Sequence, residues 1–369
     1  HRGFLHPGLP SGWTADSRCP TDRRVAASVQ HFDITNAVIR MTLRRSVATR
    51  SIGIEPPDNL SDEALARLGA RHFALGCAPC HASPGAAQNP VAAEMYPAPP
   101  PLSHAVEDWQ TSELFWIVKH GLKFTGMPSW PALERDEEIW ALVAFLERLP
   151  DMSAEQYAAM TGRETEQNDG SGFDFDLNAN DETVTAFCAN CHGDTDAAPV
   201  HPLAPPLEGQ KQDYLHRALV EYAEERRPSG IMEPIAAELD SAAIDELARH
   251  YAELSERPAA ERDDVDPDSI RRGGLIALSG VRDDDIPACV SCHSTESSGQ
   301  FPRLAGLSAE YIATQLRLFR NGVRDQSTYA QIMAPIARRL SDQQLEDVAA
   351  FFASRPEEGG EANHSEQEP

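Results

Sequence analysis

The chain has no hydrophobic run long enough to cross a bilayer. Its strongest, Ile139–Leu146 (IWALVAFL), falls far short of the roughly 20 residues a spanning helix needs. It has no period-two run of β-branched residues, so the usual signal for strands is missing. It has no Met at position 1 and begins at His1, so the lack of a leader or anchor says nothing about compartment. A basic body is missing too. Residues 1–50 hold eight Arg against three Asp, a net of +5, which leaves −31 for the remainder of a total of −26. So acidic a body repels nucleic acid, whose phosphates call for Lys and Arg. It suits either plain solubility or steering toward a partner with a basic face. Its 369 residues suffice for two or three domains.

Cysteine is scarce, with seven in the chain, yet six of them fall into one motif repeated three times. The boxes are Cys77-Ala78-Pro79-Cys80-His81, Cys188-Ala189-Asn190-Cys191-His192 and Cys289-Val290-Ser291-Cys292-His293. A structural zinc site needs four ligands, typically two such pairs close together, and here no segment holds a second pair. A thioredoxin-like dithiol needs a βαβ context and gives no reason for a His after every box. The remaining reading is covalent haem c, in which two thiols add to the porphyrin vinyl groups and the adjacent His ligates the iron. Three boxes predict three haems.

A carrier haem needs a second axial ligand, and a methionine thioether raises its potential. Met127, Met232 and Met333 lie 46, 40 and 40 residues after the three box histidines. Each is followed within two residues by Pro, which stiffens the backbone. Loops are therefore predicted around them, each before a closing helix. Met95 stands too near its His to compete, while Met152 and Met160 follow the closing helix. His120 reads as a helix-surface residue near the haem edge; His72, His104, His201, His216 and His250 read as structural or solvated.

Helical periodicity frames each box. SDEALARLGARHFALGC begins with a Ser cap and an acidic first turn, and Leu65, Leu68 and Phe73 recur at helical spacing. DEEIWALVAFLERL, SAAIDELARHYAEL and SDQQLEDVAAFFAS follow the three methionines, the last opening on a capping box of Ser341 and Gln344. An internal repeat matches APPLEGQKQDYLHRAL to FPRLAGLSAEYIATQL, pairing Leu207, Gly209 and Tyr214 with Leu304, Gly306 and Tyr311. The expectation is an all-α chain of three tandem haem domains. A basic arm covers 1–55 and the domains cover 56–162, 183–255 and 270–355. An acidic linker fills 163–182, a short joint 256–269 and a disordered acidic tail 356–369. The shorter joint implies that the duplicated pair packs together. Ile34, Val38, Ile39 and Val47 give the arm a partly amphipathic helix. It suits packing on domain one, or docking to a partner subunit or an anionic membrane surface. Cys19 is left over, as a free thiol or one that pairs with another chain.

With these features assembled, the sequence resembles class I cytochrome c. Residues from about 180 to 355 resemble the di-haem periplasmic cytochromes of the c-four kind, through two boxes, FPRLAGLSAEYIATQL, RNGVRD and two M-x-P-I-A loops. Residues from about 24 to 150 resemble mono-haem cytochromes and cytochrome subunits of respiratory chains, through MTLRRSV, WIVKHGLKFTGMP and DEEIWALVAFLERLP. The resemblance implies axial pairs His81/Met127, His192/Met232 and His293/Met333. It also implies a bacterial periplasmic location, free or tethered to the membrane. The implied role is electron transfer from a dehydrogenase or quinol-oxidising complex toward a terminal oxidase or other acceptor. With a methionine for every iron the chain reads as a carrier, not an enzyme. The alternative, a sulfur-compound dehydrogenase or di-haem peroxidase, needs an iron that lacks its Met or takes Cys19 instead.

Overall fold

The computed structural model describes residues 31–162, 177–178, 182–255 and 266–355. Cys19, most of the acidic linker, most of the second joint and the tail lie outside these residues. Seventeen α-helices and no named strand occur among the described residues, the sole β feature being an isolated bridge between Val281 and Ile286. No helix there is long and apolar enough to cross a membrane.

The helices gather in three successive units. The first unit begins with α1 (Asp33–Arg50), α2 (Glu63–Gly76) and α3 (Ala78–His81). It continues with α4 (Pro90–Ala93), α5 (Leu102–Ala105), α6 (Thr111–His120), α7 (Asp136–Leu146) and α8 (Ala154–Thr161). Its core joins Phe73, Phe115, Leu142, Phe145 and Tyr157. Helix α2 crosses α7 so closely that a Cβ on Gly69 would sit 1.9 Å from the Ala141 carbonyl oxygen. Any larger residue there would force the two helices apart. The cap of α2 is Asp62, whose side chain accepts from the Ala64 N–H at 2.9 Å, and not the expected Ser61. Ser61 instead lies in a short 3₁₀ turn and offers its carbonyl to Arg148.

The second unit comprises α9 (Glu182–His192), α10 (Gln212–Ala223), α11 (Met232–Ala237) and α12 (Ser241–Glu253). Its smaller core gathers Val184, Leu215, Leu247 and Tyr251. Within the stretch read as a linker, Leu177 is buried, and Asn178 is pinned to α12's entry by bonds with Glu238 and Asp240. The third unit has α13 (Pro267–Ser279), α14 (Val290–His293), α15 (Ala309–Arg320), α16 (Ala330–Arg339) and α17 (Asp342–Ser354). Helix α13 starts inside the stretch read as the second joint, because Asp266 caps it and Pro267 suits its first turn. The Ser341–Gln344 capping box forms as expected on α17.

The arm splits the two readings offered for it. Val47 is fully buried against the first unit, and Arg44 bridges to Asp108 at 2.7 Å. Ile34, Val38 and Ile39, expected on the same side, are exposed along with Phe32 and Met41. The buried apolar contact of α1 lies in its C-terminal half, while its N-terminal end is tied by Tyr96, whose hydroxyl donates to Asn36 Oδ1 at 3.0 Å and accepts from the His31 N–H at 2.9 Å.

Candidate functional site

Each box closes a helix or forms a short one, so that its two thiols and its His share one turn. Cys80 and His81 donate backbone N–H groups to the Cys77 carbonyl; Cys292 and His293 do the same to Cys289. The second box ends α9, and the chain then reverses at Gly193, φ +73°, where a Cβ would meet the Ala197 carbonyl oxygen at 2.3 Å.

One contact recurs in all three units. The Nδ1–H of His81 donates to the Pro100 carbonyl at 2.8 Å, His192 to Pro205 at 2.8 Å and His293 to Pro302 at 2.9 Å. A carbonyl can only accept, so the ring proton sits on Nδ1 and Nε2 keeps its lone pair. Burial also pulls the pKa of each ring below its ordinary value, opposed by the bond to the carbonyl. The result is three neutral, oriented imidazoles, each able to ligate iron. These prolines were not singled out from the sequence, yet each begins a Pro-x-Leu triplet downstream of its box: Pro100–Leu102, Pro205–Leu207 and Pro302–Leu304.

Burial pushes the Cys77 and Cys188 thiols up to about 12 and Cys289 to about 11. Such sulfurs resist becoming the thiolates that zinc or redox exchange requires, and they suit neutral thioether links to haem. Among the described residues no three His, Cys, Asp or Glu side chains converge as a metal cage.

The methionines occupy three different settings. Met127 lies in the loop after α6, its N–H bonded to the Thr125 hydroxyl at 3.1 Å. A Cβ on Gly126 would fall 2.0 Å from the Met95 methyl carbon, so Met95 lies against this loop despite its nearness in sequence to His81. Met232 and Met333 do not sit in loops as expected: Met232 opens α11 and Met333 lies within α16. Pro234 falls in the first turn of α11, where no N–H partner is needed. Pro335 deprives only the carbonyl of Gln331, an exposed residue whose oxygen water can satisfy. Met333 and Cys289 pack against the same core.

The joint between the second and third units buries two cations that an anionic group would suit. Arg227 and Arg324 are 3 % and 7 % exposed, and the Nε of each has no partner. Arg227 donates to the hydroxyls of Tyr214 and Tyr311 and Arg324 to Gln315, but neither reaches a carboxylate among the described residues. Burial, with Arg227 beside it, lowers the pKa of Arg324 to about 10. Two buried guanidiniums without anions are costly. A haem carries two propionate carboxylates, which supply what this pocket lacks.

Comparisons with known proteins agree with this chemistry. Residues 64–146 match the family model described as cytochrome C oxidase, cbb3-type, subunit III, and residues 286–355 match the cytochrome c model. Cytochrome c-552 of Acidithiobacillus ferridurans is 34 % identical over 177 residues, covering 46 % of this chain and 74 % of that protein. The chain belongs to the class I c-type cytochromes. The thiosulfate dehydrogenase electron acceptor of Stutzerimonas stutzeri (strain A1501) is also 34 % identical, over 45 % of this chain and 78 % of its own length. Cytochrome c4 of Thiocapsa roseopersicina is 30 % identical, over 48 % and 91 % respectively. As a cytochrome of this family the chain is a helical, haem-binding electron-transfer protein and not an enzyme.

Proposed function

We propose that the chain is a tri-haem cytochrome that carries electrons in a bacterial periplasm, between a dehydrogenase and a terminal oxidase. Bound haem supplies the one-electron ferric/ferrous couple. The chain's residues hold and tune it. Cys77 and Cys80, Cys188 and Cys191, and Cys289 and Cys292 would form the thioether links, and His81, His192 and His293 would ligate the iron. Met127, Met232 and Met333 would be the further iron ligands, while Arg227 and Arg324 would receive propionates. The threefold bond from His Nδ1 to a proline carbonyl carries this reading, because it prepares the same free nitrogen beside every pair of thiols.

The partners follow from where the likenesses fall. The relative from Stutzerimonas stutzeri accepts electrons from a thiosulfate dehydrogenase, which favours a dehydrogenase acting on reduced sulfur compounds as the donor. The oxidase-subunit likeness of residues 64–146 favours the first unit as the exit toward a terminal oxidase. The exposed Phe32, Ile34, Val38 and Met41, set among arginines of α1, suit an anionic membrane surface or an oxidase subunit beside it.

Mass analysis of the mature polypeptide should show three haem additions. Its near-infrared methionine-to-iron band should equal three centres, and the reduced protein should bind no carbon monoxide. Fewer additions, or a centre open to carbon monoxide, would reject the three-centre carrier and restore the haem-enzyme alternative.

A further inference from the structure

The first unit reaches into the second at one buried carboxylate. Glu138, on α7, is 6 % exposed, and all its contacts are specific. One oxygen accepts from the Ser229 hydroxyl at 2.7 Å and lies 2.9 Å from Arg135 Nη2. The other accepts from the Gly230 N–H at 2.7 Å and from the Trp130 indole N–H at 3.1 Å. Arg135 continues across the joint to the Pro228 carbonyl at 2.6 Å. Residues 228–230 of the second unit are thus gripped by side chains of the first, immediately before Met232.

The grip passes to Met232 through Ser229. A hydroxyl has one hydrogen and two lone pairs. Glu138 takes the hydrogen in a charge-assisted bond. The oxygen is left to accept from the N–H groups of Met232 at 3.0 Å and Ile231 at 3.3 Å. Gly230 permits this approach, since a Cβ there would fall 2.1 Å from Trp130 Nε1. Trp130 itself stands three residues after Met127, and its backbone N–H donates to the Lys119 carbonyl at 3.0 Å. The two methionine segments therefore face one another across the joint.

A looser version recurs one unit further on, in which a buried carboxylate holds the segment leading to a methionine while the Met333 N–H donates to the Tyr329 carbonyl at 3.1 Å. Glu221, on α10 of the second unit, is 1 % exposed and accepts from the N–H of Thr328 at 2.9 Å. Thr328 precedes Met333 by five residues, in the segment that leads into α16 of the third unit. Next to it, the Ser327 hydroxyl donates to the Arg226 carbonyl at 3.3 Å.

We propose that Glu138 is a positioning residue for Met232, acting through Ser229, so that docking of each unit sets the methionine ligand, and hence the redox potential, of the next. The inference rests on Met232 and Met333 being iron ligands. Loosening the segment lowers the share of Met-ligated iron, and methionine ligation raises the potential. Release of the grip therefore lowers it.

The test uses the full haem-loaded chain in four variants: Met232→Ala, Glu138→Gln, Ser229→Ala and Glu221→Gln. Ser229→Ala keeps the Arg135–Glu138 pair and the Gly230 bond, so it separates positioning from folding of the joint. Each is followed by redox titration and by the near-infrared methionine band. Met232→Ala should remove one centre's share of the band and identify its potential. Glu138→Gln and Ser229→Ala should lower that same potential and leave the other two in place, while Glu221→Gln lowers the Met333 centre alone. A tenfold loss in preference for the reduced over the oxidised state reads as about 59 mV in a one-electron couple. Unchanged potentials in both Glu138→Gln and Ser229→Ala, or all three centres shifting together, would overturn the proposal. An unchanged band in Met232→Ala would instead overturn the ligand assignment beneath it.

Discussion

The two joints of this molecule each bury a carboxylate among protein groups, but they treat their buried cations differently. Between the first and second units a buried carboxylate, Glu138, is met by Arg135, Ser229, Gly230 and Trp130, all supplied by the chain. Between the second and third, the buried cations Arg227 and Arg324 find tyrosines and a glutamine but no carboxylate among the described residues. The first joint is complete in polypeptide, while the second holds two buried guanidiniums for which haem propionates would be fitting partners. A duplicated pair can afford such a pocket because both copies contribute the same arginine: each stands 13 residues after its tyrosine, Tyr214 to Arg227 and Tyr311 to Arg324.

The sharpest way to break this contrast is to remove one buried guanidinium. Arg324→Gln leaves a propionate without its partner, at a cost of about 3–5 kcal/mol for a broken buried pair. A cation beside haem favours the reduced form, so the potentials of the second and third centres should both fall, as read by redox titration. Potentials that stay put would mean that the pocket does not hold propionates. At the first joint, Glu138→Leu should cost a similar ~3–5 kcal/mol, because buried Arg135 is left with Glu137 as its carboxylate partner and Ser229, Gly230 and Trp130 lose their acceptor. Because that joint is closed by protein groups, the double variant with Arg135→Met should recover much of the loss. Denaturant unfolding of both singles and the double measures this directly; additive losses would show that the two residues do not act as a pair.

The units should also separate in acid. Burial holds the His72 pKa down at about 3 against an ordinary 6.5. The unfolded chain then takes up a proton that the folded unit refuses. Stability of the first unit should fall as pH drops below 6.5 toward 3, by at most roughly 1.4 kcal/mol per pH unit. Asp347, in α17, is held at about 2 rather than 3.8, chiefly by hydrogen bonds from Arg272 with help from Ser269 and Gln343. Its contribution is complete above pH 3.8 and is lost as pH falls through 2. The third unit should thus outlast the first in an acid titration followed by circular dichroism. His72→Leu should flatten the earlier slope and leave the later one in place.

The parts legible in sequence were those fixed by spacing along the chain. The boxes, the helical frame and the duplication follow from local pattern, and the His orientation was present as a Pro-x-Leu triplet that only its geometry made meaningful. The joints were hidden, because their partners lie far apart in sequence. In RDEEIWAL, Glu138 reads as one more acidic residue in a first turn, and nothing local reports that Ser229 meets it 91 residues later. Packing of the second and third units was expected from their short joint. The grip of the first unit on the second was not, because the polar stretch between them reads as a linker. The loop expected at Met333 failed for a local reason: Pro335 removes one bond from α16, at exposed Gln331, which is too little to undo it.

The smallest effect belongs to the arm, where surface and core can be compared within one helix. Arg44 of α1 bridges Asp108 at 2.7 Å and lies 5.1 Å over the Trp109 ring, but both ionic side chains are more than half exposed. An exposed pair contributes about 0.2–1 kcal/mol and weakens with salt. Val47, three residues on and fully buried, leaves a cavity when truncated, and losing two methyl groups costs about 1–3 kcal/mol. Arg44→Ala should therefore shift first-unit unfolding slightly at low salt and hardly at all in high salt, whereas Val47→Ala should shift it by more, at any salt. Equal effects would mean that the arginine and its indole neighbour, not the apolar contact, hold the arm to the first unit.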